Sequence, residues 1–178
     1  MARTFLIGPG GVGKTTAGGE LARLLDCAFL DLDHQFMARV GHIDGVIQGQ
    51  GYARYVELNA ELFATLAAEL PETCVMALSS GFLASDTPAG LLAANQARVK
   101  AAGTSIRLLP CEDLAAASRI VVARQMGRGL ALDEAREAAK FARRFADYLD
   151  QGDISVFSAA APAQIAAEMA RALGLTSP

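Results

Sequence analysis

Apolar residues follow two rhythms along this chain. Short apolar runs at residues 4–7, 28–32, 73–78, 105–109 and 154–157 are bounded by turn-forming or polar residues and have the length of buried strands. Between them, apolar positions three and four apart predict helices over 14–25, 53–70, 91–102, 112–124, 132–145 and 163–173. Strands alternating with helices imply a mostly parallel, five-stranded sheet with helices on both faces, a three-layer α/β/α fold. No repeat or low-complexity linker interrupts the alternation, and the alanines near 159–167 fit helix formation. The 178 residues suit one domain over 1–178, long enough to bury a substantial core.

Composition narrows the class. A net charge of −3 argues against a nucleic-acid or anionic-membrane partner. Met1-Ala2-Arg3 runs straight into the first strand, and no apolar stretch approaches the length of a membrane span. Cys27, Cys74 and Cys111 show no metal-binding or disulfide spacing. They read as small core residues of a reduced, cytoplasmic protein, which is expected to be monomeric.

The chemistry begins at residues 8–15, GPGGVGKT, which follow the first strand run and open the first helix. The spacing G-x-x-x-x-G-K-[ST] in that setting marks a phosphate-binding loop. Glycines let backbone N–H groups turn inward around phosphate oxygens, Lys14 carries charge to the β- and γ-phosphates, and the Thr15 hydroxyl is a ligand for Mg²⁺. A Gly-rich turn with a purely structural role is the competing reading.

Absences sort the triphosphate-using classes. A guanine-reading Asn-Lys-x-Asp motif is missing, since Asn59 and Asn95 precede Ala and Gln. The 73–78 strand ends in Ser79-Ser80-Gly81 rather than in an acid. Acids appear instead as Asp31 and Asp33 at the end of the 28–32 run. If that run is a strand beside the first, its alternation sends both carboxylates to one side at the carboxyl edge, where ligands bind. A pair of acids capping the following helix is the plainer alternative.

These residues resemble the shikimate kinases, small P-loop NTPase-fold kinases of the nucleoside-monophosphate-kinase-like group. The resemblance rests on Gly13-Lys14-Thr15-Thr16-Ala17-Gly18, then Asp31-Leu32-Asp33, then Arg54-Tyr55-Val56-Glu57, then Arg144-Phe145-Ala146-Asp147-Tyr148, in that order. It implies ATP and Mg²⁺ as cofactors and transfer of the γ-phosphoryl group to a hydroxyl of shikimate or a related hydroxy acid. Gly8, Gly10, Gly11, Val12, Gly13, Lys14, Thr15 and Thr16 would hold the nucleotide, and Thr15 and Asp31 the metal. Asp33 would contact acceptor hydroxyls, Arg54 and Arg144 would hold the acceptor carboxylate, and Ser80 and Gly81 would lie against its ring. A mobile lid at about 125–132 would bring Arg128 to the transferred group, with Arg124 or Arg119 over the adenine. The acceptor-binding segment would span about 33–60.

Three departures touch the acceptor side. Ser79-Ser80-Gly81 stands where the family presents three glycines, Arg128-Gly129-Leu130-Ala131 lacks the lid proline, and Ala53 separates Tyr52 from Arg54. A sugar-acid kinase like the gluconate kinases, or a catalytically silent nucleotide-binding module, are the alternative readings. Solvated surface arginines are the plainer reading of Arg54 and Arg144.

Overall fold

A computed structural model of the chain describes residues 3–127 and 133–175. Five parallel strands, β1 (Thr4–Ile7), β2 (Ala28–Asp31), β3 (Cys74–Ala77), β4 (Thr104–Leu109) and β5 (Ile154–Phe157), form one sheet in the order β2-β3-β1-β4-β5. Around it lie α1 (Lys14–Leu24), α2 (Leu32–Arg39), α3 (Ile43–Gln50), α4 (Tyr52–Glu69), α5 (Ala89–Ala102), α6 (Leu114–Met126), α7 (Glu134–Tyr148) and α8 (Pro162–Ala172). The five strand runs and the long helices match their predicted positions to within a few residues. Among the described residues, no helix is long and apolar enough to cross a membrane.

Two expectations change. Strand β2 lies beside β3, not beside β1, because β3 pairs with both of them and fills the place between. The second strand also stops at Asp31, and Asp33 sits in the first turn of α2. Strand alternation therefore does not set the relation between the two acids. A capping interaction does, as the site shows.

Helices α2 and α3 were not resolved as separate elements by periodicity. Each has eight residues, with Leu32 and Phe36 the buried positions of α2 and Val46 that of α3. A stripe so short carries little periodic signal. Gly51, at φ +86°, lets the chain turn from α3 into α4, in a backbone region that favours glycine.

The sheet separates two clusters of buried hydrophobic side chains. Phe5 and Ile7 of β1 point into one with Phe36, Phe63, Leu66 and Met76. Leu6 points into the other with Leu21, Leu108, Val121, Phe145 and Met169. An unbroken apolar run is what a strand buried on both faces requires. Arg3 fastens α4 to the foot of β1 by donating to the carbonyls of Ala67, Leu70 and Pro71, groups that the end of a helix leaves without partners. Because all five strands are parallel, the connections after them collect at one edge, which is where the site forms.

Candidate functional site

The loop between β1 and α1 is a backbone cradle. Gly11 and Gly13 have φ of +81° and +104°, and a side chain at Gly11 would meet Val121 and Gln125. Gly13 caps α1 with no side-chain hydrogen bond, so the first N–H groups of that helix remain available to an anion, in the field of the helix dipole. Val12 is fully buried and anchors the loop in the core. Its contribution to binding is thus through backbone. Lys14 curls over the loop and donates to the carbonyls of Gly8 (2.7 Å) and Pro9 (2.9 Å). Thr16 Oγ1 donates to the Gly13 carbonyl at 3.1 Å.

This cradle opens on a pocket of about 170 Å³ lined by Gly10, Gly11, Gly13, Lys14, Thr15 and Thr16 and, across from them, Asp31, Asp33, Leu78 and Ser80. Thr15 Oγ1 donates to Asp31 Oδ2 at 2.6 Å, while Asp31 Oδ1 accepts the backbone N–H groups of Asp33 and His34. One carboxylate therefore caps α2 and faces the phosphate loop at once, which joins the two sequence readings of Asp31. The donors fit a hard divalent cation carried with phosphate. They comprise one hydroxyl and one carboxylate, and no group of three or more metal-binding side chains gathers among the described residues. Magnesium characteristically takes few protein ligands and keeps water and phosphate oxygens for the rest.

A second, larger cleft of about 860 Å³ lies between the α2–α4 segment, the loop after β3 and α7. Asp33 and Ser80 line both spaces, so the two share a wall. Arg144 reaches the cleft from α7 with its side chain only 7% exposed. It donates to Ser80 Oγ at 2.8 Å, to the Tyr52 hydroxyl at 3.0 Å and to Asp86 Oδ2 at 2.8 Å. Burial opposes the charge on Arg144, but the hydrogen bond it donates to Asp86 and the surrounding negative potential prevail, and its pKa is raised. Arg143 shares the same Asp86 oxygen at 3.1 Å. Gly81 is required here: a side chain on it would collide with the Tyr52 hydroxyl and crowd the Arg144 guanidinium.

Beneath this layer, Ser79 Oγ donates to Asp33 Oδ1 at 2.5 Å and accepts from Asn59 Nδ2 at 2.9 Å. The Tyr55 hydroxyl lies 3.5 Å from the same Asp33 oxygen. Burial, and next the charge of Asp33, push the Tyr55 phenol well above its ordinary pKa. Tyr148 is buried at the end of α7 and donates to the Ser80 carbonyl at 3.3 Å.

The structure does not bring Arg54 to the cleft. It stands on the outer face of α4, 41% exposed, paired with Glu57 at 3.0 Å and Glu61 at 3.3 Å. The cause is helical phase. Residues 52, 55 and 59 form the inward stripe, on which Tyr52 and Tyr55 line the cleft and Asn59 is buried, while 54, 57 and 61 form the one that faces water. Arg124 is half-buried and donates to the Ala159 carbonyl in the connection after β5, whereas Arg119 is exposed. Of the segment expected to form a lid, Gln125 and Met126 belong to α6, with Gln125 against Gly10 and Gly11. Arg128 and residues 129–132 lie outside the described residues.

Sequence reasoning missed Tyr52, Tyr55, Asn59, Asp86 and Gln125 as site residues and noticed Ser79 only as a departure. For the first three a signal existed: polar and aromatic residues at helical spacing on a stripe that continues as Phe63 and Leu66. Asp86 offered none.

A family model described as shikimate kinase matches residues 10–173. Shikimate kinase 2 of Enterobacter sp. strain 638 is 34% identical over 89 residues, which are 49% of this chain and 49% of that protein. In that alignment the chain spans about half the length of the curated relative. Among solved structures, shikimate kinase from Aquifex aeolicus superposes with a TM-score of 0.74 at 23% identity, over 97% of this chain and 96% of that one. Shikimate kinase from Acinetobacter baumannii in complex with shikimate superposes with a TM-score of 0.77 at 20% identity, over 97% and 93%. At those identities the superpositions establish the common fold.

Proposed function

Since the chain belongs to the shikimate kinase family, we propose that it transfers the γ-phosphoryl group of ATP to a hydroxyl of shikimate or a closely related hydroxy acid. The observation that carries this reading is the shared wall: Asp33 and Ser80 line both the phosphate-loop pocket and the larger cleft. A phosphoryl group can then pass between two bound molecules without leaving the site.

The α1 N-terminus and the glycine loop hold the phosphates, and Lys14 turns from the Gly8 and Pro9 carbonyls to the β- and γ-phosphate oxygens. Thr15 and Asp31 would hold Mg²⁺, which supplies charge neutralisation between the phosphates when bound. We read Arg124, which donates to the Ala159 carbonyl, as the residue that covers the adenine, and Arg128 as the one that meets the transferred group.

On the acceptor side, Arg144 meets the carboxylate with a planar fork suited to bidentate pairing. Ser80 and Gly81 lie against the ring, and Asp33 aligns the hydroxyl. The acceptor oxygen bonds to the γ-phosphorus as the bond to the leaving ADP oxygen breaks, and the hydroxyl proton passes to Asp33. Most of the acceleration comes from positioning and charge, because the transition state of phosphoryl transfer is loose. Arg54 has no part in this arrangement. The same reading makes the protein a cytoplasmic monomer acting on small molecules.

A coupled assay of ADP release with ATP, Mg²⁺ and shikimate tests the proposal. Shikimate-dependent turnover that disappears in Lys14→Ala is expected. Turnover of a sugar acid in place of shikimate would reject the acceptor, and ATP binding without turnover of any hydroxy acid would reject the activity.

A further inference from the structure

We propose that Asn59 and Ser79 are positioning residues that hold Asp33 for the acceptor hydroxyl, and that they do in this chain what bare backbone after β3 could not. The inference rests on the reading of Asp33 as the residue that meets the acceptor.

The three side chains come from three elements and form a directed chain of hydrogen bonds. Asn59 Nδ2 can only donate, and it donates to Ser79 Oγ at 2.9 Å. With that lone pair occupied, the single hydroxyl proton of Ser79 goes to Asp33 Oδ1, at 2.5 Å. Two side-chain donors among the described residues, Ser79 and the more distant Tyr55, converge on Asp33 Oδ1. That convergence fixes the carboxylate torsion and assigns Oδ2 to the acceptor. A torsionally fixed carboxylate is worth more to an in-line transfer than a mobile one, because misplacement by about 1 Å can cost a hundredfold in rate.

The burial of these groups supports a functional role. Asn59 and Ser79 are each 2% exposed. Asn59 sits on an α4 stripe otherwise continued by apolar side chains, and its Oδ1 is buried without a hydrogen-bond partner. An orphaned buried carbonyl destabilises a fold, whereas an apolar residue of the same shape would not. A position selected only for packing would shed the amide. Retaining it at the cost of Oδ1 makes sense if Nδ2 is needed where it points.

Asn59→Leu and Ser79→Ala in the full chain separate this role from a structural one. For Asn59→Leu the urea midpoint stays level or rises, because the orphaned carbonyl is removed. For both variants kcat with the acceptor falls roughly tenfold to a hundredfold, with little change in acceptor KM and none in ATP affinity. Wild-type kcat in Ser79→Ala overturns the proposal, and that variant decides alone if Asn59→Leu does not fold. Should the wild-type protein phosphorylate no hydroxy acid, the activity reading fails by itself. Crystal structures of the two variants then decide the positioning claim: Asp33 rotated away from its wild-type torsion supports it, and an unmoved Asp33 overturns it.

Discussion

Thr15 and Asp31, sixteen residues apart, meet at 2.6 Å, although β1, which leads into the helix of Thr15, and β2, which ends at Asp31, are not neighbours in the sheet. The same Asp31 carboxylate holds the first turn of α2 through the N–H groups of Asp33 and His34. A single side chain thereby couples the phosphate loop to the helix that presents Asp33.

The two duties of Asp31 separate by substitution. Asp31→Asn keeps an oxygen acceptor for the cap and loses the charge that faces the metal. It is expected to unfold within about 1 kcal/mol of wild type yet to need more Mg²⁺ for half-maximal turnover. Asp31→Ala loses both, with a stability loss of about 1 kcal/mol or more from the cap alone. Urea melts and Mg²⁺ titrations read the two effects independently.

Arg144 and Asp86 form a largely buried pair, with side chains 7% and 18% exposed. Removing one partner leaves a charge that the interior cannot solvate. Asp86→Ala is expected to destabilise the protein by about 3 kcal/mol, and the double variant Asp86→Ala, Arg144→Met by less than the sum of the singles. Additive losses in denaturant melts would show that the pair is not coupled.

The acceptor cleft can be narrowed without touching the nucleotide. In Gly81→Ala the added methyl pushes the Tyr52 hydroxyl and Arg144 apart, so acceptor KM rises while ATP affinity holds. Arg54→Ala serves as the contrast. Its partners Glu57 and Glu61 are on the solvent face, and acceptor KM, kcat and melting temperature all stay at wild-type values. A rise in acceptor KM for Arg54→Ala would return that arginine to the site.

The chain has three tyrosines and no tryptophan, so its near-ultraviolet titration reports phenols alone. Burial is the largest cause raising the pKa of Tyr52, Tyr55 and Tyr148 alike. In the folded protein the phenols stay protonated where those of the unfolded chain ionise, near pH 10. The sign follows: below about pH 10 this contribution to stability is complete, and it is lost as pH rises towards the folded values. At about pH 10.5 native protein should show less phenolate than denatured protein at the same pH. Equal phenolate in native and denatured protein at that pH would contradict the packing of the cleft.

Acid acts elsewhere. Hydrogen bonds from the Ser105 hydroxyl and backbone N–H hold the Asp153 carboxyl below its ordinary pKa. That contribution is present above the unfolded value, near pH 4, and fades as pH falls through the folded one. Ser105→Ala should therefore flatten the acid limb of the stability profile, with urea midpoints across that range as the measure.

By itself, the sequence determined what depends on neighbouring residues. The glycine spacing at 8–13 dictates a cradle because positive φ and inward N–H groups are local properties of the backbone. The strand runs and long helices are likewise legible from their own periodicity. Arg144 and Asp33 were found because they belong to motifs in a recognisable order. Tertiary structure decided which groups face each other across long stretches of chain. Arg144 meets Asp86 across 58 residues and Ser80 across 64, and Ser79 meets Asp33 across 46. It also set the phase of α4, which turns Tyr55 and Asn59 inward and Arg54 outward although all three are polar or amphipathic. A helix can rotate until its most apolar stripe is buried, so a side chain's direction depends on the whole packed face rather than on its own motif.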